Sequence, residues 1–312
     1  MAQIREIASG LQFPEGPIAM DDGSVLVVEI KRGTLTRVKP DGTLQVVAET
    51  GGGPNGAALG PDGMVYICND GGFDWMEIDG LTVPGHTPHS YTRGSIQRAN
   101  LSTGKVETLY TQCDGHALKG PNDIVFDGNG GFWFTDFGKV YERSQDRTGI
   151  FYAKTDGSIV KEVVFPMNGP NGIGLAPGDK KLYVAETMTA RVWEWDVLGP
   201  GQLGQKKGVG GPLLQGPGGA SLLTGLPGYQ LLDSLAVDSE GYVCVATIIN
   251  GGITAISPDG KKIDHVALPD PLTTNVCFGG KDMRTAYATL SGTGKLVAID
   301  WPRPGLRLHY AA

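Results

Sequence analysis

Six segments of this 312-residue chain share one plan, and a plan repeated six times leaves few folds open. The first runs FPEGPIAMDDGSVLVVEIKRGTLTRVKPDG and the second runs from GPNGAALGPDGMVYICND to RGSIQRANLSTG. The third is GPNDIVFDGNGGFWFTDF with GIFYAKTDG, and the fourth is GPNGIGLAPGDKKLYVAETMTARVWEWD. The fifth is LLDSLAVDSEGYVCVATIINGGITAISPDG and the sixth TTNVCFGGKDMRTAYATLSGTGKLVAID.

Each segment reads as a short strand, a turn, a second strand, a variable loop and a third strand. Stretches such as Gly241–Thr247 and Arg191–Asp196 have the β-branched and aromatic enrichment, or the alternation, of a pleated surface. A fourth strand is weaker in sequence, as in Ser158–Val164. No segment carries a helical stripe, and 49 Gly and 20 Pro suit a turn-rich chain. The expectation is an all-β fold, a six-bladed β-propeller with a central metal-binding channel, built as a single domain over residues 1–312. Residues 2–10 precede the first unit and fit a strand that closes the ring against the last blade.

The chain has a formal charge of -7 and only scattered Lys-Lys dyads, which excludes a nucleic-acid partner. No membrane-length apolar run or secretion signal is present, so a soluble cytoplasmic monomer or small homo-oligomer is expected. Cys68, Cys113, Cys244 and Cys277 lack CxxC spacing and read as reduced, structural thiols.

One polar residue opens each unit: Glu15, Asn55, Asn122, Asn171, Asp233 and Asn275. Eight residues later stand Gly23, Gly63, Gly130, Asp179, Gly241 and Met283, so all six share a phase. A lone Pro-Asn-Gly is ordinary turn chemistry. Turn chemistry does not explain two carboxylates in the series, nor six residues that a propeller would bring to its axis. Buried acids and amides facing one another need a cation among them. The donors are all oxygen, which suits a hard divalent ion and Ca²⁺ best, with Zn²⁺, Mg²⁺, Mn²⁺ and Fe²⁺ also compatible. Glu15, Asn122, Asn171 and Asp233 are the expected metal ligands. Asn55 and Asn275 complete the ring as substrate-binding or supporting residues, with Asp136 at a strand end nearby. Asp123 follows Asn122 and should point away from the channel if the strand is regular.

These residues resemble the SMP-30/gluconolactonase/luciferin-regenerating enzyme family, which includes the drug-responsive lactonases and is similar to diisopropylfluorophosphatase. The resemblance covers essentially the whole chain through FPEGP at Glu15, GGFWFTDF ending at Asp136, PNGIGLAPGDKKLYVAET at Asn171 and LLDSLAVDSEG at Asp233. It implies a propeller with a divalent metal held by Glu15, Asn171 and Asp233, with Asn122 as fourth ligand or substrate contact, and hydrolysis of a small lactone. Two positions depart from the pattern. Gly120 stands where animal members carry an arginine, which puts sugar-lactone recognition of that kind in doubt. Leu232-Asp233-Ser234 replaces Pro-Asp-Gly, which makes Ser234 a candidate extra ligand.

A metal with open positions polarises a carbonyl, and ester hydrolysis then needs a base. Asp233 is the catalytic candidate, as base or as nucleophile. No G-x-S-x-G, H-E-x-x-H or P-loop competes. The rival readings are phosphotriester hydrolysis at the same metal and a non-catalytic propeller scaffold. Two long excursions are expected as loops: residues 70–93, lining the pocket, and 199–231, whose face the sequence does not assign.

Overall fold

Two kinds of strand build the molecule, and their burial follows their place in a blade. The second strands Val25–Glu29, Val65–Asn69, Gly131–Asp136 and Val243–Ile248 are apolar nearly throughout and almost wholly buried. Each is sandwiched between neighbouring sheets on both faces, so no alternation is needed. The outermost strands Leu44–Glu49 and Val160–Met167 mix exposed and buried positions, and Ile263–Ala267 has none that is buried, because one face meets water. That half-solvated character is why the fourth strand is faint in sequence.

These strands form six antiparallel sheets in a computed structural model that describes residues 3–206 and 215–311. Their innermost strands are Pro14–Ala19, Pro54–Leu59, Pro121–Phe126, Pro170–Leu175, Leu231–Val237 and Thr273–Gly279. The N-terminal strand Ile4–Ala8 pairs with Lys295–Asp300 of the sixth sheet, so the first residues complete the last blade as expected. Between blades lie apolar layers, such as Tyr66, Phe126, Phe132 and Phe134 between the second and third, and Trp133, Leu175 and Trp195 between the third and fourth. All four cysteines are free. Among the described residues no helix is long and apolar enough to cross a membrane.

The shared phase has a backbone cause. Gly23, Gly63, Gly130, Asp179, Gly241 and Met283 all have positive φ, between 56° and 82°. Each sits at the turn between the first and second strands of its blade, where a left-handed residue closes the hairpin. Glycine fills four of the six for that reason.

Two expectations need correction. Residues 199–231 are not simply a loop: they contain Ser221–Gly225, which pairs with Arg191–Gly199 as an outer strand of the fourth sheet. Residues 207–214 of that stretch lie outside the described residues. The excursion at 70–93 likewise holds a two-stranded hairpin, Trp75–Ile78 with Leu81–Pro84.

Candidate functional site

In an antiparallel blade, the start of the first strand and the connection from second to third strand lie on the same face. The six ring positions therefore share one face with the segment 70–93 and with the connections around residues 137–147, 187–190 and 249–251. Segment 70–93 reaches far around that face. Thr82 N donates to Gly292 O in the sixth blade at 2.9 Å, and Lys31 of the first blade pairs with Glu77 at 2.7 Å. Trp75 packs on Phe13 at 5.0 Å, and on the other side Tyr91 Oη donates to Lys119 O at 2.6 Å. The segment thus forms a wall at the mouth on the ring side.

Each innermost strand is broken at its ring position. Pro54 pairs with Asn69 and Ala57 with Ile67, so one extra residue is inserted across Asn55 and Gly56. The same one-residue bulge recurs between Glu15 and Ile18, Pro121 and Ile124, Pro170 and Ile173, Leu232 and Leu235, and Thr273 and Asn275. A bulge bends the strand and re-aims side chains. It also accounts for the Pro-Asn-Gly motifs, which are not turns. A Cβ on Gly56 would collide with Asn122 O and Asp123, and one on Gly172 with the backbone of Asp233 to Leu235. Glycine here lets neighbouring innermost strands approach closely.

All six ring residues are buried. Asn275 Nδ2 donates to Glu15 Oε2 at 2.7 Å, and Gly16 N donates to the same oxygen at 2.9 Å. Ser234 Oγ lies 3.5 Å from Asn171 Oδ1. Asn55 turns toward Asp70, to which its Nδ2 donates at 3.1 Å. Asp136 is wholly buried but serves the backbone: it accepts from Lys119 N and Gly120 N at 2.7 Å and Gly138 N at 2.9 Å, fixing the approach to Asn122.

Asp123 does not point away from the centre. The bulge turns it inward, where it lines the central cavity with Gly16 and Asn275 and accepts from Ile124 N at 2.9 Å. Alternation gives the opposite direction only for an unbroken strand, and the bulge between Pro121 and Ile124 breaks this one. The signal was its position: Asp123 occupies the place that glycine holds after Glu15, Asn55 and Asn171.

The electrostatics of the ring are unfavourable as they stand. Burial pushes the Glu15 carboxyl up to about 7, against hydrogen bonds that pull it down. Burial pushes Asp123 up to about 7 and Asp233 well above the carboxylate range, and the charge of Glu15 raises both further. Among the described residues, no three His, Cys, Asp or Glu side chains converge as a cation cage by themselves. Amides complete the donor set. Asn122 Oδ1 is buried with no hydrogen-bond partner among the described residues, an oxygen lone pair left over at the ring. Facing acids, an unpartnered amide oxygen and no nitrogen or sulfur donor fit a hard divalent cation.

Below the ring the channel turns apolar. A cavity of about 110 Å³ runs past Ile18, Leu59, Val125, Leu175 and Val237 to the opposite face. Leu306, Leu308 and His309 of the C-terminal tail line it there. Leu306 N donates to Val237 O at 3.1 Å, and Arg303 pairs with the buried Asp238.

Comparison with known proteins supplies an independent line. The family model described as "SMP-30/Gluconolactonase/LRE-like region" matches residues 13–292. A gluconolactonase of Zymomonas mobilis is 25% identical over 302 residues, covering 89% of this chain and 76% of that protein. Lactonase drp35 of Staphylococcus epidermidis is 25% identical over 292 residues, covering 92% and 78%. Among solved structures, a gluconolactonase from Xanthomonas campestris superposes with a TM-score of 0.74 at 18% identity, covering 96% of this chain and 90% of that one. The calcium-binding protein regucalcin of Agrobacterium tumefaciens gives 0.69 at 16%, covering 98% of each chain. At those identities the structures speak for the fold.

Proposed function

This chain belongs to the SMP-30/gluconolactonase/LRE-like family, and on that premise we propose that it is a lactonase, a hydrolase that opens a cyclic ester with the help of one divalent metal ion. What supports the metal is the buried Asn122 Oδ1, which has no hydrogen-bond partner among the described residues, together with the burial of Glu15, Asn171 and Asp233 at the equivalent positions of other blades. These four residues would hold the ion. Ca²⁺ suits all-oxygen donors, and the fold is shared with a calcium-binding regucalcin. When bound, such an ion supplies positive charge that polarises the carbonyl and stabilises the developing oxyanion.

The remaining chemistry belongs to the side chains. Asp233 stands at the ring beside Ser234 and Asn171, and burial, with the charge of Glu15, holds its carboxyl well above the usual carboxylate range. It either takes the proton of the attacking water or attacks the carbonyl carbon itself. Glu15 is held by Asn275 and Gly16 N, which leaves it a fixed charge rather than a mobile base. Asn55 orients the substrate. Elemental analysis of purified protein, followed by chelation and metal add-back while acid release from a panel of lactones is recorded, tests this reading. Full turnover by metal-stripped protein would reject it.

A further inference from the structure

Lys139 is 0% exposed, an extreme for a lysine. A buried ammonium is tolerated only with dedicated partners, and those partners show what it does. Nζ donates to Gly72 O at 2.7 Å and Asp70 O at 3.0 Å, and stands 3.6 Å from Asp70 Oδ1. The rings of Phe73 and Tyr91 flank it at 4.1 and 5.3 Å. Every one of these groups belongs to segment 70–93, whereas Lys139 sits in the third blade on the connection after Gly131–Asp136.

Asp70 carries the contact onward to the ring. Its Oδ1 accepts from Gly72 N at 2.6 Å, and its Oδ2 accepts from Asn55 Nδ2 at 3.1 Å. With the amide nitrogen committed to Asp70, the oxygen is the end of Asn55 left for a ligand. We propose that Lys139 is a positioning residue: it pins the front of segment 70–93 across the mouth and, through Asp70, fixes the orientation of Asn55 at the ring. Its positive charge is the working part. Without it, Asp70 is a buried carboxylate with no cation beside it, free to be drawn toward water and to release Asn55. The return arm is tied separately, by Thr87 N to Val140 O at 2.9 Å and by Tyr91 to Lys119, so the wall as a whole survives its loss.

The test compares wild type with Lys139→Met and with Lys139→Met/Asp70→Asn. Methionine keeps the volume and removes only the charge and its donated bonds, so a space-filling role predicts little change. The expected results for Lys139→Met are at least tenfold faster backbone hydrogen exchange over residues 70–75 and an affinity for Ca²⁺ within twofold of wild type. On the lactone that wild type opens best, kcat/KM should fall at least tenfold. The double variant, which removes the stranded acid, recovers at least threefold in kcat/KM. Unchanged exchange at 70–75 overturns the strut, and unchanged kcat/KM or a double variant no better than the single one overturns the positioning role. The activity arm rests on the lactonase reading. If wild type opens no lactone, that reading fails while hydrogen exchange still decides whether Lys139 holds the wall.

Discussion

Asn275 Nδ2 donates to Glu15 Oε2 at 2.7 Å, joining the last blade to the first across a sequence separation of 260. The bond holds one of the two ring acids of the expected ligand set and sets its charge against an amide rather than another acid. Asn275→Asp should therefore destabilise the metal-free protein, because a second carboxylate is forced against Glu15. The same variant should gain more thermal stability than wild type when Ca²⁺ is added. Thermal melts with and without chelator measure both, and an identical metal-induced shift in the two proteins would disprove the coupling.

Asp233→Asn preserves shape and removes the base. Loss of a positioned general base costs about 10²- to 10⁴-fold in kcat. Acid release from lactone by this variant, measured at saturating metal so that weakened ion affinity is not mistaken for lost chemistry, should fall in that range. Wild-type turnover would remove Asp233 from the mechanism.

Metal-free protein should lose stability as pH rises between about 4 and 7. Glu15 ordinarily titrates at 4.5 and Asp123 at 3.8, and both are raised to about 7 in the fold. Between those values the folded state holds protons that the unfolded chain has released. The stabilisation is complete at low pH and is lost as pH passes the folded values. A bound cation neutralises the repulsion, so the slope should flatten with metal present. Melting curves at pH 5, 6 and 7 in chelator and in Ca²⁺ give the comparison, and parallel curves would refute it.

Gly130→Ala isolates the turn position. A Cβ there meets no atom within 4 Å, so the cost is that of a left-handed alanine alone, about 1 kcal/mol. Urea unfolding should report that loss with an unchanged m-value. A neutral result would mean that the hairpin turn relaxes without penalty.

Arg303→Ala should cost more, on the order of 3 kcal/mol, since it strands Asp238, which is fully buried and also accepts from Glu240 N and Tyr242 N. Urea unfolding measures this too. Arg303→Lys keeps the charge and should lose less, and equal losses for the two variants would show that packing rather than charge anchors the tail.

The ring positions were legible in the sequence because the same backbone event recurs six times. A bulge at the ring and a left-handed turn eight residues later demand the same residue types in every blade, so Glu15, Asn55, Asn122, Asn171, Asp233 and Asn275 appear in phase. Closure by residues 4–8 was legible for a similar reason, since a repeat missing its last strand leaves an edge to be filled. Asp123 was misjudged because alternation predicts side-chain direction only in an unbroken strand. Ser221–Gly225 passed for loop because an outer strand with one wet face needs little apolar content.

The chain by itself therefore determined how many blades form and which six residues open the innermost strands, because both follow from local geometry repeated along it. Three-dimensional packing alone decided how those side chains are held: Asn275 against Glu15, Lys139 against Asp70, and the tail residues Leu306 and Leu308 across the far end of the channel. Those pairings join residues far apart in the chain and occur once each, and a contact that is neither local nor repeated leaves no pattern in the order of amino acids.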